Sequence, residues 1–374
     1  MDDSVIDANV GKRSALTAHV VAIDARLACG TSTGDSTYWT GLLYGLSQID
    51  VAAKILLFSN APRPQDIPWH PSFEWIQLQS SNSRWWSYVL FPLAARRAGA
   101  RAIHTQYSLS PLIRKGGITT IHDVSFLIGP EWFSRKDHLL LSRLVPAAAR
   151  RAAKVITVSE TSRKEIIKYI PSAQGKVEVT YNACPPWIRS VPREEALLHL
   201  GNRPPFLLTV GTRWPRKNMS LAVEAASLLP AHLPHRLVIT GKQGWGDQEL
   251  GARGESVGYV DHHTLSCLYS AADLYLAPSF HEGFGIPMLE AFHCGCPVLS
   301  SSGGALPEVA NSAAKIVDSY TPEVWASEIE CLLGDRSTLG ALREAGRARE
   351  KEFSWAKTAR ETLDIYEQVS DDRS

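Results

Sequence analysis

Residues 277–309 read APSFHEGFGIPMLEAFHCGCPVLSSSGGALPEV, and they constrain the fold more than any other stretch. Gly283 and Gly285 flank Phe284, Pro287 follows where a helix would begin, and Gly295 and Pro297 end the apolar run. Pro early and Gly late is the asymmetry of helix ends. Pro297, Val298 and Leu299 then open a strand, so the stretch predicts loop, helix, strand. The amides of Gly283, Phe284, Gly285 and Ile286 fall where up to four donors lack an intrahelical acceptor and where the helix dipole is positive. Glycine lets backbone come close to a phosphate there. Glu282 precedes the helix, and Glu290 follows it with seven residues between. Two readings stay open on these residues alone. The carboxylates can face one cleft and accept from sugar or ribose hydroxyls, or they can merely favour a helix N-terminus.

At 374 residues the chain has length for two domains, each with its own core. A hydrophobic share of 44% and a charged share of 21% describe a globular protein. A formal net charge of +1 gives no global basic field for nucleic acid. The cysteines, at 29, 184, 267, 294, 296 and 331, are scattered, which suits a reducing compartment better than a disulfide framework. Cys294, Cys296 and His293 stand together, but no second Cys or His pair is evident at zinc-like spacing, so no metal site is expected. No run approaches the ~18 apolar residues of a membrane span. Residues 1–18 are polar, lack a signal core and read as a loose tail. A cytoplasmic protein is therefore expected.

Along the chain, HVVAIDAR at 19–26 predicts a strand, the small-residue loop from Cys29 to Ser36 a turn or phosphate cradle, and TYWTGLLYGLSQI a helix. KILLFSN, FEWIQL, RAIHTQYS and GITTIHD continue the strand pattern. In SRWWSYVLFPLAARRAGA, Trp85, Trp86, Val89, Leu90 and Leu93 are read on one helical face, either a membrane-surface face or one packed on its own sheet. His122 and Asp123 lie at a strand's carboxyl end, where open α/β sheets bind ligands. Ser159 or Thr161 is the expected N-cap of SETSRKEIIKYI, and KVEVTYNA closes the first domain. The pattern restarts with PFLLTVG at 205–211, then TRWPRKNMSLAVEAASLL. Arg216 and Lys217 at the start of that helix oppose its dipole. Such a local conflict points to a bound anion, which Arg can grip by two donors and Lys as a point charge. Arg213 is a further cation nearby.

The string EGFGIPMLEAFHCGCPVLSS resembles the E-x7-E signature of family 4 retaining glycosyltransferases, as do VGTRWPRKN, AADLYLAPS, VITVSETSRKEI and TIHD in their order. The resemblance covers nearly the whole chain from about residue 19. It implies a GT-B fold: α/β, with two Rossmann-like doubly wound domains facing each other across a cleft. The expected divisions are a tail at 1–18, an acceptor-side domain at 19–190 joined by a crossing C-terminal helix at 355–374, and a nucleotide-sugar domain at 191–354. By the resemblance, Arg216 and Lys217 bind the donor diphosphate with Gly283, Phe284, Gly285 and Ile286. Glu282 orients the transferred sugar and Glu290 the ribose. Tyr259, Val260 and Leu265 meet the base, and His122 holds the sugar from the other domain. The loop from Cys29 to Ser36 departs from the family's usual double-glycine form, so it assigns no acceptor.

The implied reaction moves a sugar, mannose or glucose, from a GDP- or UDP-linked donor to a hydroxyl of a glycan, lipid-linked saccharide or small molecule. The residues show no evident nucleophile, and the resemblance implies front-face attack with the leaving phosphate taking the acceptor proton. No D-x-D string occurs, so cation roles fall to Arg216 and Lys217 and metal-independent chemistry is expected, with no cofactor beyond the donor. A nucleotide-sugar epimerase of the same fold would need an acid/base pair that the sequence does not show beyond His122. A silent nucleotide-sugar-binding subunit would be expected to lack the two glutamates or the Arg-Lys pair, and all four are present. Peripheral contact with the inner membrane face is the expected extent of any lipid association.

Overall fold

The structure, a computed structural model, describes residues 19–29, 34–65, 67–244 and 250–372. The polar N-terminal tail and the centre of the Cys29–Ser36 loop lie outside the described residues. Two all-parallel sheets form. The first contains β1 (Val20–Asp24), β2 (Lys54–Ser59), β3 (Phe73–Gln77), β4 (Ala102–Gln106), β5 (Gly117–Thr120), β6 (Lys154–Thr157) and β7 (Val177–Val179). Its order is β3-β2-β1-β4-β5-β6-β7. The second contains β8 (Phe206–Val210), β9 (Arg236–Thr240), β10 (Gly254–Gly258), β11 (Leu274–Ala277), β12 (Val298–Ser301) and β13 (Lys315–Val317). Its order is β10-β9-β8-β11-β12-β13. Near-continuous apolar strands such as ILLF and FLLTV match sheets covered by helices on both faces. The order reverses between β1 and β4 and between β8 and β11, and a ligand crevice opens at such switch points beyond the strands' carboxyl ends.

The chain ends on a helix, Trp355–Asp371, that crosses back to the first domain and packs on helix Gly34–Ser47. Contact is close because Gly41 and Gly45 present no side chain. A Cβ on Gly45 would stand 2.0 Å from the Trp355 carbonyl oxygen. Trp355 Nε1 donates to the Cys184 carbonyl at 2.9 Å, and the Tyr366 hydroxyl pairs with His104 Nδ1 at 2.7 Å. Ser159 is the N-cap of helix Glu160–Tyr169, its hydroxyl accepting from Ser162 N–H at 3.0 Å, while Thr161 lies inside the helix.

Two local expectations are corrected. Trp85 and Trp86 do not share a face: Trp86 is fully buried and stacked on Phe91 with centroids 5.2 Å apart, while Trp85 is exposed. A π-helical turn over Trp86–Leu90 shifts the register that regular helical spacing assumes. Arg216 and Lys217 do not open the helix Met219–Ser227. They sit in a 3-10 turn, Pro215–Lys217, separated from it by Asn218 in the left-handed region. The turn frees both cations to face the crevice.

Candidate active site

The second domain builds one wall from the loops after β8 and β11. Glu282 is the hub: one carboxylate oxygen lies 2.6 Å from Lys217 Nζ and accepts from the Ser279 hydroxyl at 2.7 Å. The other accepts from Arg216 Nη1 at 3.0 Å. Arg216 also donates to the His281 carbonyl, and its own carbonyl accepts from Phe280 N–H at 2.9 Å. Burial pushes the Glu282 carboxyl upward, but Lys217 and Arg216 outweigh it and hold the group well below the usual range. Burial opposes the Arg216 charge, and Glu282 and Asp123 more than restore it. The result is a buried anion between two cations at the crevice.

The helix begins at Ile286, with Gly285 as N-cap at φ +100° and Pro287 in the first turn. Met288 N–H turns back to the Gly285 carbonyl. Pro287 has no donor, so the amides ahead of it, Gly283 to Ile286, are the ones available to an anion. Gly285 is required twice over, because its φ suits only glycine and a Cβ would stand 2.8 Å from Leu306 Cδ2. Glu290 turns inward and accepts from the Tyr269 hydroxyl at 2.7 Å. Burial pushes its carboxyl up to about 7 against that hydrogen bond. Tyr259 is exposed beyond the end of β10, with Lys242 Nζ 5.6 Å from its ring centroid, and Val260 and Leu265 are half-buried against the core.

The first domain supplies the opposite wall. His122 follows β5, its ring edge-on to Tyr38 and Tyr107, with centroids 4.8 Å and 5.7 Å away. Burial lowers its basicity, and Asp35 and Asp123 only partly oppose this, so the ring is neutral near pH 7. Its Nε2 lies 3.7 Å from Asp35 Oδ1 and has no hydrogen-bond partner among the described residues. Asp123 accepts from Ser125 N–H and its hydroxyl. Burial raises the Asp123 carboxyl, but Arg216, His281 and the Ser125 bonds bring it below the ordinary range.

The walls touch. A Cβ on Gly283 would stand 2.7 Å from the His122 carbonyl, and the Gly283 carbonyl accepts from Ser159 and Ser162. His281 Nε2 lies 3.0 Å from both carboxylate oxygens of Glu165. Burial lowers its basicity, but Glu165 and Asp123 outweigh this and raise it. Glu308 accepts from the amides of Glu160 and Thr161 and from the Tyr181 hydroxyl. The structure thus brings together Arg216, Lys217, Glu282, His122 and the Gly283 loop. It adds Asp123, which the sequence reading placed at the ligand-binding end of its strand without a role, and Ser279, His281 and Glu165, which that reading did not assign. His281 stands directly before Glu282, and that adjacency was the available signal. Arg213 points elsewhere, donating to the Ser256 hydroxyl at 3.2 Å. At the Cys294–Cys296 turn, the thiols point to the Arg189 and Ala272 carbonyls.

Comparison with known proteins agrees with this geometry. The family described as Glycosyl transferases group 1 matches residues 193–349, and Glycosyltransferase Family 4 matches residues 36–186. O-antigen chain mannosyltransferase B of Escherichia coli is 31% identical over 67% of this chain and 69% of its own length. Sucrose-phosphate synthase from Thermosynechococcus elongatus superposes with TM-score 0.73 at 21% identity, covering 94% of this chain and 99% of that one. Anabaena HepE, solved in complex with UDP-glucose, gives TM-score 0.70 at 17% identity, covering 94% and 99%. With two parallel-sheet domains closing on one charged crevice, the chain belongs to the group 1 glycosyl transferases of the family 4 type and is a glycosyltransferase of GT-B fold.

Proposed function

We propose that the protein is a retaining, metal-independent hexosyltransferase that moves mannose from GDP-mannose to a hydroxyl of a glycan or lipid-linked saccharide. The observation that carries this reading is the Lys217–Glu282–Arg216 clamp at the β8/β11 switch point, facing His122 across the cleft. Mannose is favoured by the likeness to an O-antigen mannosyltransferase. HepE holds UDP-glucose, which makes UDP-glucose the competing donor.

Lys217 and Arg216, held on Glu282 beside the crevice, would supply the cationic charge that grips a diphosphate in place of a metal ion, and the Gly283–Ile286 amides add neutral donors. As the glycosidic bond breaks, negative charge grows on the leaving phosphate, and these groups stabilise it without reorganising. Glu282, held ionised by its two cations, accepts hydrogen bonds from the transferred sugar. His122 offers its buried Nε2 to the same sugar from the other side. Glu290 reaches the ribose hydroxyls, with Tyr259, Val260 and Leu265 beside the base. The acceptor hydroxyl attacks on the face the phosphate leaves, and the phosphate takes its proton, so configuration is retained.

The test is a transfer assay in chelator with GDP-mannose or UDP-glucose and a mannoside acceptor, followed by NMR of the new linkage. An α-linked mannoside is expected. A β-linked product would overturn retention, and transfer only from UDP-glucose would overturn the donor. No helix among the described residues is long and apolar enough to cross a membrane. We place any lipid contact at the exposed Trp85, Leu139 and Leu140, near Arg84 and Arg143, where cations and apolar side chains suit an anionic surface. Flotation with anionic vesicles would show binding that Leu139→Glu removes.

A further inference from the structure

The linker into the second domain ends in the helix Arg193–His199, which lies along the helix His262–Ala271. Polar contacts seat the preceding linker on that helix: Arg189 N–H donates to Ser266 Oγ and Val191 N–H to Ser270 Oγ, both at 3.1 Å. At the other end of this seam stand His199, His263 and Cys267. Each offers one ligand atom, and these atoms all lie within 4.8 Å of one another. His263 Nε2 is 3.9 Å from Cys267 Sγ, and the His199 and His263 rings are 4.6 Å apart, edge to face. His263 and Cys267 are four residues apart on one helix, hence on one face. The sequence reading found no second Cys or His pair at zinc-like spacing, expected no metal site, and so passed over this His-x3-Cys pair.

Tetrahedral zinc, with Zn–N of about 2.0–2.1 Å and Zn–S of about 2.3 Å, sets its ligand atoms roughly 3.4–3.7 Å apart. Closing the present separations to those values needs the ligand atoms to approach one another by at most roughly 1.4 Å, and both histidines are exposed. Two imidazoles and a thiolate are a borderline-soft donor set that suits zinc and not calcium or magnesium. His199 Nε2 also lies 3.2 Å from the Thr264 hydroxyl, which donates to Asp261.

We propose that His199, His263 and Cys267 bind one zinc-class divalent ion, which pins the linker helix to the helix His262–Ala271. The fourth position faces solvent and takes water. Leu265 is about 160° around the same helix from both ligands, so the ion stands on the face away from the residues read as nucleotide contacts. It is a fastening of the second domain and takes no part in transfer.

Cobalt reports this site directly, because a tetrahedral Co2+–thiolate centre absorbs in the near ultraviolet and strongly in the visible. The full chain, stripped with chelator, is titrated with Co2+ and then displaced with Zn2+. One equivalent with thiolate-to-metal absorption is expected. His199→Asn, on the surface and harmless to folding, should weaken Zn2+ binding by more than tenfold, and Cys267→Ser should abolish the thiolate band. Cys331→Ser and His293→Asn should leave both unchanged. Absence of the band in the wild type, or its persistence in Cys267→Ser with loss in Cys331→Ser or His293→Asn, overturns the proposal.

Discussion

Glu282 owes its role to its neighbours. A lone carboxylate at its depth would be neutral, yet two cations hold it ionised. Replacing Glu282 with Gln should leave Arg216 and Lys217 in place but cost about 10²–10³ in kcat, read in a donor-saturated transfer assay. Glu290 is the converse case. Its carboxyl is raised from 4.5 to about 7 by burial, so the folded protein holds a proton that the unfolded chain releases. Stability therefore falls as pH rises from about 4.5 to about 7, by at most about 3 kcal/mol. Urea midpoints across that window should flatten in Glu290→Gln. At this scale the sequence singled out Arg216, Lys217 and Glu282, which the structure groups, but the reason read there, opposition to a helix dipole, fails because both cations stand in a 3-10 turn, and Glu290 turns inward to Tyr269. His281 and Glu165 were not legible, since their pairing joins segments 116 residues apart, and Asp123 was placed at its strand end without a role because that depends on contact with the other domain.

Elements were read more easily than contacts between them. Alternating apolar runs and capping residues located the strands and most helices, and Gly285, Pro287 and Gly295 marked the central helix as the structure has it. Regular spacing failed at Trp85 and Trp86 because a π-turn inserts a residue that no local rule announces. It also failed at Pro215–Lys217, where a 3-10 turn replaced the first helical turn. The crossing helix was foreseen only by family likeness. Its docking rests on Gly41 and Gly45 admitting Trp355. Gly45→Ala should therefore lower stability by about 1–3 kcal/mol, since the added methyl meets backbone that cannot yield. Denaturation monitored by tryptophan fluorescence checks this. An unchanged midpoint would mean that the helix docks by other contacts.

Across the whole molecule, the contacts that join the domains include two charged clasps beside the clamp: Glu308 on the helix Glu160–Tyr169, and His281 with Glu165. The first should resist pH change around neutrality, because Glu308 lies below the ordinary carboxylate range despite burial. The second depends on a proton. His281 is raised above 6.5, so its attraction to Glu165 is full below that pH and is lost as pH rises through the raised value. Small-angle scattering should show a wider radius of gyration at high pH, an effect that Glu165→Gln removes. Glu308→Ala should widen the molecule at every pH and raise KM for both substrates. The central claim is that Lys217 and Arg216, positioned by Glu282, hold a nucleotide diphosphate without metal. Calorimetric titration of GDP and UDP into the chelator-treated protein, for wild type and Lys217→Ala, tests it most directly. The account predicts saturable binding of GDP, tighter than UDP, weakened more than tenfold by Lys217→Ala. Equal binding by both proteins, or none by the wild type, would contradict it.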